Sequence, residues 1–168
     1  MRWASDRSQV LSRTVRGVMR YGDALRVQAR LEGVPETAIE ALVRSKFEYV
    51  VTSQIYFKLK HSAKAEDNWK AAAIDELRST FAAFLRVAYV EGDAAKPQQP
   101  FFSVLLGVDE AAAEGEGDRV LYKVRLPGNP IIGEGKPENQ NHAVVFTRGE
   151  YMQTLDMNQD NYMGESYK

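Results

Sequence analysis

Two short apolar runs with an amphipathic helix between them constrain this chain more than any other feature. Residues 47–53 and 85–90 are rich in β-branched and aromatic side chains and too short to be helices, so they read as strands buried in a sheet. Between them, residues 66–81 put Trp69, Ala73, Ile74, Leu77 and Phe81 on one face of a helix. A helical crossover makes the two strands parallel. Further along the period changes to two. Phe102, Val104 and Leu106 alternate with Ser103 and Leu105, and Val120, Tyr122, Val124 and Leu126 alternate with Leu121, Lys123 and Arg125, which predicts an antiparallel hairpin. Its connection, residues 109–118, is rich in Ala, Gly and Glu and reads as a mobile, solvated loop, with residues 94–100 as a similar spacer. The sum is an α/β fold with a mixed sheet.

Composition bounds what such a fold can serve. At 168 residues and 44% apolar content, the chain can build one ordinary core. A net charge of -1 offers no field for nucleic acid, and no nucleic-acid partner is expected. The absence of cysteine excludes disulfides and cysteine-based zinc sites. No run approaches the roughly 18 apolar residues of a membrane span, and none reads as a signal peptide. Ahead of the first strand, Leu11, Val15, Val18, Met19, Leu25 and Leu31 keep helical spacing, while Arg2, Arg7, Arg13, Arg16, Arg20, Arg26 and Arg30 crowd the other positions. Residues 1–45 therefore form a basic amphipathic helical segment, and residues 46–168 a second division. Gly17 and Gly22 weaken the helix, with a break expected at Gly22-Asp23. Such a segment packs on a neighbouring domain or lies near an anionic membrane surface, the plain alternative being an ordinary Arg-rich helix face.

The last third carries polar chemistry. Tyr151 to Leu155 is a short, largely apolar run and is expected to be a buried strand. Carboxylates begin where it stops. Ligands of open α/β sheets sit beyond the carboxyl ends of strands, so Asp156 and Asn158 are expected to face such a crevice. Two oxygen donors there suit a hard divalent cation, which in turn neutralises a diphosphate. The competing reading is a turn at Asp156 and Asn158, with Asp160 capping the next helix. Upstream, residues 136–148 predict a short helix with Pro137 in its first turn, Glu138 at its positive end, and Ala143, Val144 and Phe146 on its apolar side. Asn139 and Asn141 are poor helix formers whose amides donate and accept at once, which suits a polar ligand. Gly133-Glu134-Gly135-Lys136 is no P-loop, because Pro137 stands where Ser or Thr is required. Lys136 is then either a point charge for a phosphate or a solvated lysine. His61 and His142 make no metal pair and read as a surface residue and a helix residue.

Lys136-Pro137-Glu138-Asn139-Gln140-Asn141-His142-Ala143, Phe146-Thr147-Arg148-Gly149-Glu150 and Asp156-Met157-Asn158-Gln159-Asp160-Asn161-Tyr162 resemble the signature of the β-1,3-glucan synthases, the callose synthases of plants and their fungal and algal relatives. Blocks around Arg2-Trp3-Ala4-Ser5, residues 9–17, 46–51 and 85–90, and Arg125-Leu126-Pro127-Gly128 are similar to that family in the same order. The resemblance covers nearly the whole chain, residues 61–80 and 92–118 apart. It implies a processive inverting glycosyltransferase on the cytosolic face of an integral plasma-membrane synthase, taking UDP-glucose and extending a β-1,3-glucan acceptor. The remainder of that multi-spanning synthase and its complex are the implied partners.

A more distant similarity to cellulose and hyaluronan synthases aligns Lys136 to Asn141 with their Lys-Ala-Gly-Asn-like helix start. It also aligns residues 149–158 with their strand ending in Asp-X-Asp. Together the two resemblances imply a partial nucleotide-sugar transferase fold of the GT-A-like kind. They place Lys136, Asn139 and Asn141 at UDP, Asp156 and Asn158 at the diphosphate or its Mg or Mn ion, and Asp160 as a further metal ligand. Glu91 falls near the uridine, where relatives carry Asp, and Lys60 supplies positive charge toward the diphosphate. An amide oxygen binds a cation more weakly than a carboxylate, so Asn158 leaves the metal requirement open. With no membrane span, and with both ends inside matched helices, the chain is expected to be a fragment, or the product of a truncated gene model, holding the nucleotide-binding half, without catalytic base or acceptor site. Two further readings stay open: a catalytically incomplete UDP-sugar-binding segment, and an interaction segment of a membrane complex.

Overall fold

The computed structural model describes residues 7–96, 98–108, 118–156, 159 and 161–167. These divide into two compact units, one made of the residues up to 48 with those from 153 onward, the other of residues 49–152.

In the first unit, α1 (Arg7–Val18), α2 (Arg20–Leu31) and α3 (Glu36–Lys46) follow one another. Val15, Val18, Ala24, Ala29, Ile39 and Val43 form the buried side that the helical spacing requires. The break between the first two helices falls at Met19, not at the expected Gly22-Asp23. Gly22 instead lies buried inside α2, where an added Cβ would stand 3.3 Å from Val43 Cγ1. Its missing side chain serves helix contact, a use that spacing along one helix does not reveal. Arg26 reaches Glu40 of α3 through Nε at 2.6 Å and Nη2 at 3.0 Å, and Arg30 reaches Glu36 at 2.7 Å and 3.2 Å. The Arg30 pair is exposed and contributes little to stability.

The second unit is built on a sheet. β1 (Tyr49–Thr52) leads through α4 (Tyr56–Lys60) and α5 (Ala65–Thr80) into β2 (Leu85–Glu91), and β3 (Phe102–Val108) and β4 (Asp118–Arg125) complete it. The strands lie in the order β1-β2-β3-β4. β1 and β2 run parallel, with Val51 opposite Val87. The β2–β3 and β3–β4 pairs are antiparallel, with an irregularity between Leu105 and Leu106. The expected mixed sheet is present. The hairpin connection at 109–117 lies outside the described residues.

Alternation along the strands gives each face its cover. α4 and α5 pack on β2 and β3, with the Tyr56 and Tyr89 rings 5.4 Å apart. On the other face Ala88 and Leu105 bury Ala143 and Phe146, flanked by Val50 and Leu121. Both faces of β3 are therefore closed, and Ser103, Val104 and Leu105 are all within 1% of complete burial. In α5, Ala73, Ile74 and Leu77 are buried as the periodicity predicts, but Trp69 is 37% exposed. Ala71 and Arg78 turn inward instead. Arg78 is tolerated there because Nη1 donates to the Gly107 carbonyl at 3.0 Å and Nη2 to Asp75 at 3.2 Å.

Candidate functional site

α6 (Lys136–Asn141) is a turn and a half of helix seated at the carboxyl end of β1. Its fastener is Asn139. The side-chain amide donates to the Thr52 carbonyl at 3.0 Å and the Thr52 hydroxyl at 3.3 Å, and its oxygen accepts the Gln54 amide N–H at 2.7 Å. An extended strand ends with unpaired backbone groups, and here a single Asn meets two of them. The helix is shorter than expected. After Asn141 the chain turns into a 3-10 segment, Val144–Phe146, which lowers Ala143 and Phe146 onto the sheet and leaves Val144 41% exposed.

Glu138 makes the second fastening. Its Oε2 accepts three successive backbone N–H groups, from Ile132 at 2.6 Å, Gly133 at 3.0 Å and Glu134 at 3.2 Å, and its Oε1 accepts Gln54 Nε2 at 3.0 Å. Donation from Gln54 leads the causes that hold this carboxyl below the ordinary glutamate range, with the backbone N–H groups adding to it and desolvation opposing. The loop it gathers has Gly133 at φ 96° and Gly135 at φ 72°, backbone conformations that side chains other than hydrogen rarely accept. Sequence reasoning assigned Glu138 only to the helix end. The available signal was the Gly-Glu-Gly run just ahead of it, which marks a loop needing an anchor.

His142, just beyond α6, is buried at 6% exposure beneath β3. Ser103 Oγ lies 2.8 Å from His142 Nδ1 and 2.9 Å from the His142 carbonyl oxygen, while Nε2 is buried without a hydrogen-bond partner. Burial pushes the imidazole pKa down to about 4. It is a neutral core histidine.

The remaining expected site residues occupy several places. Lys136 opens α6 and Asn141 closes it, both exposed. Glu91 stands at the carboxyl end of β2, adjacent and parallel to β1, but alternation sets it on the Tyr89 face, opposite the face that carries α6. There its Oε1 accepts Lys123 Nζ at 2.7 Å, with the ammonium 4.5 Å from the Phe102 ring centre. Lys60 donates to Tyr56 Oη at 3.0 Å and Asp75 at 3.4 Å. Tyr56 Oη also donates to Asp75 at 2.6 Å, and burial with that bond pushes the phenol well above its ordinary range.

Residues 151–155 are not a strand. Tyr151 is 93% and Met152 54% exposed, and neither pairs with the sheet. An apolar run becomes a strand only where a neighbouring strand meets its backbone, and among the described residues none does. Asp156 is exposed; its carbonyl accepts the Gln159 amide N–H at 3.0 Å and its own N–H donates to Gln159 Oε1 at 3.0 Å. Asn158 and Asp160 lie outside the described residues. Among those described, no three His, Asp or Glu side chains gather for a metal ion, and no helix is long and apolar enough to cross a membrane. Asp156 falls in the unit that holds α1–α3, and Lys136, Asn139, Asn141, Glu91 and Lys60 in the sheet unit.

Residues 1–168 match the family model described as 1,3-beta-glucan synthase component. The chain belongs to this family. Among its relatives from Arabidopsis thaliana, callose synthase 9 is 43% identical over 182 residues, covering 99% of this chain and 9% of the relative. Callose synthase 7 is 42% identical over 193 residues and callose synthase 3 is 40% identical over 203, each alignment covering 99% of this chain and 10% of the relative. This 1,3-beta-glucan synthase segment thus spans about a tenth of the length of the curated relatives it matches.

Proposed function

We propose that this 1,3-beta-glucan synthase segment is part of the donor site of a processive inverting transferase that moves glucose from UDP-glucose to a growing β-1,3-glucan. The observation that carries the reading is the double fastening of α6 to the carboxyl end of β1, through Asn139 and through Glu138 and Gln54. Crevices at strand carboxyl ends are where open α/β sheets take nucleotides, which supports a partial GT-A-like fold. Lys136, at the start of that helix, supplies a point charge for the diphosphate, and the exposed amide of Asn141 a hydrogen bond to UDP. Asn139 spends its amide on β1 and acts on the donor by positioning its helix. Glu91 and Lys60 stand on the sheet face opposite α6, so in this reading they meet the donor beyond the strand ends, Glu91 at the uridine end and Lys60 as added positive charge from α4.

Asp156, Asn158 and Asp160 offer oxygen donors of the kind a Mg or Mn ion takes. Such an ion, when bound, neutralises charge on the diphosphate. In the transfer, the acceptor 3-hydroxyl oxygen bonds to the anomeric carbon from the side opposite UDP, the bond to UDP breaks, and UDP leaves with the electron pair. The acceptor proton passes to a base supplied elsewhere in the synthase. The parent is an integral plasma-membrane enzyme that presents this site to the cytosol. Its other domains or the adjacent membrane surface receive the Arg-rich side of residues 1–45.

Alanine substitutions in a full-length synthase test the reading. Asp156→Ala is expected to lower glucan synthesis by about 100-fold or more, and Lys136→Ala to weaken UDP-glucose use by about tenfold. Near-normal product from Asp156→Ala in radiolabel incorporation would remove it from the site.

A further inference from the structure

The loop preceding α6 has nothing apolar to hold it. Ile131 is 38% and Ile132 74% exposed, and residues 133–137 are exposed as well. A loop of this kind, containing two glycines, samples many conformations unless polar contacts select one. Beside the Ile131 N–H to Asn129 Oδ1 at 3.0 Å and the Asn139 N–H to the Gly135 carbonyl at 3.1 Å, three successive backbone N–H groups of the loop converge on one side chain, the Glu138 carboxylate, itself 7% exposed. Its two oxygens join three parts of the chain: the backbone of Ile132, Gly133 and Glu134, the side chain of Gln54 beyond β1, and α6 from which the carboxylate springs. Gln54 is held on its other side by Asn139, so the arrangement closes on itself.

We propose that Glu138 is a positioning residue of the donor site. Its carboxylate sets the 132–134 loop, the end of β1 and the start of α6 with Lys136 in one arrangement before UDP-glucose arrives. This rests on the donor-site reading above. Preorganisation of this kind is expressed in donor binding, because a site already in its bound geometry spends less of the binding energy on ordering itself. The charge of Glu138 does not oppose the incoming diphosphate at full strength, since four N–H donors already draw on its two oxygens.

Gln54 makes the geometry testable. Its Oε1 is buried without a hydrogen-bond partner, because its nitrogen must face the carboxylate. In Glu138→Gln the new amide keeps an oxygen for the loop and offers an NH2 group to Gln54, which can turn its own oxygen to accept it. Glu138→Gln is therefore a partial rescue, and Glu138→Ala is not.

The experiment uses the full-length synthase in membranes and measures KM and kcat for UDP-glucose, thermal stability, and amide exchange of the 131–136 peptide. Glu138→Ala is expected to raise KM about tenfold with a smaller change in kcat, and to speed exchange at 132–134 by about tenfold or more. Glu138→Gln should fall between Ala and wild type on both scales. If the Ala variant does not accumulate, Glu138→Asp withdraws the charge by one methylene and should show the same pattern at smaller size. Wild-type KM and exchange in Ala or Asp would overturn the proposal. So would equal losses in Ala and Gln that follow thermal stability alone. Lys136→Ala separates the two levels. A wild-type KM there removes the donor-site reading itself, whereas a raised KM there with silent Glu138 variants removes only the role of Glu138.

Discussion

At the residue scale, His142 shows how position overrides side-chain type. An imidazole in a polar block invites a ligand role, yet here it lies under β3 against Ser103, whose hydroxyl hydrogen bonds to its ring and its carbonyl. A proton on Nδ1, donated to Ser103 Oγ while Ser103 donates to the His142 carbonyl, leaves Nε2 as a bare acceptor. That is a smaller cost than a buried unpaired N–H. The pH consequence has a definite sign. The folded pKa is about 4 against an ordinary 6.5, so below 6.5 the unfolded chain takes up a proton that the folded chain refuses. Stability is full above pH 6.5 and falls as pH drops toward 4, by an amount on the order of 2–3 kcal/mol. Glu138, whose pKa is lowered, also loses its contribution on acidification, but only as pH falls through its folded value. Urea midpoints of wild type and His142→Gln at pH 7 and pH 5 separate the two. The variant should lose less stability between these values than wild type, and parallel losses would show that His142 does not titrate as stated.

At the element scale, the segments that followed expectation are those whose apolar pattern is local. α5 and the four strands appear within a few residues of where the periods place them, because side-chain period alone chooses helix or strand once a core is available. The segments that departed depend on partners distant in the chain. Residues 136–148 carry helical signals, but the helix stops at Asn141, where His142 and Ala143 turn to pack on β3 and β2. Gly17 reads as a helix weakener, yet an added Cβ there would stand 3.0 Å from the Asn161 backbone nitrogen. With Thr14 Oγ1 donating to the Gln159 carbonyl at 2.8 Å, that contact ties Gln159 and Asn161 to α1. Gly17→Ala trades a gain in helix propensity for crowding against the Asn161 backbone, which must give by a few tenths of an ångström. A net loss of about 1–2 kcal/mol is expected, measured by thermal unfolding. A gain in stability would show that the Asn161 backbone gives way to the added methyl.

At the scale of the whole molecule, the sheet ends on β4, where Val120 is 51%, Tyr122 44% and Val124 37% exposed. Such an edge is a template for pairing unless charge protects it. Pairing through this edge would make sedimentation concentration-dependent and Val120→Lys would reduce it, whereas concentration-independent sedimentation velocity would show that the β4 edge does not pair with itself. The mixed sheet, its crossover and the chemical character of the Lys136 to Asn141 block were legible in the sequence by itself, because each rests on neighbouring residues and their period. Membership of the 1,3-beta-glucan synthase family was legible too, from ordered blocks along the chain. Only the tertiary structure decided which polar side chains of that block are already spent on the protein. Asn139 and Glu138 carry the same donors and acceptors in any setting, and only the end of β1 and the 132–134 loop determine that these are taken. The same holds for Tyr151 to Leu155. A strand is made by its neighbour's backbone as much as by its own side chains, and that neighbour is a property of the fold.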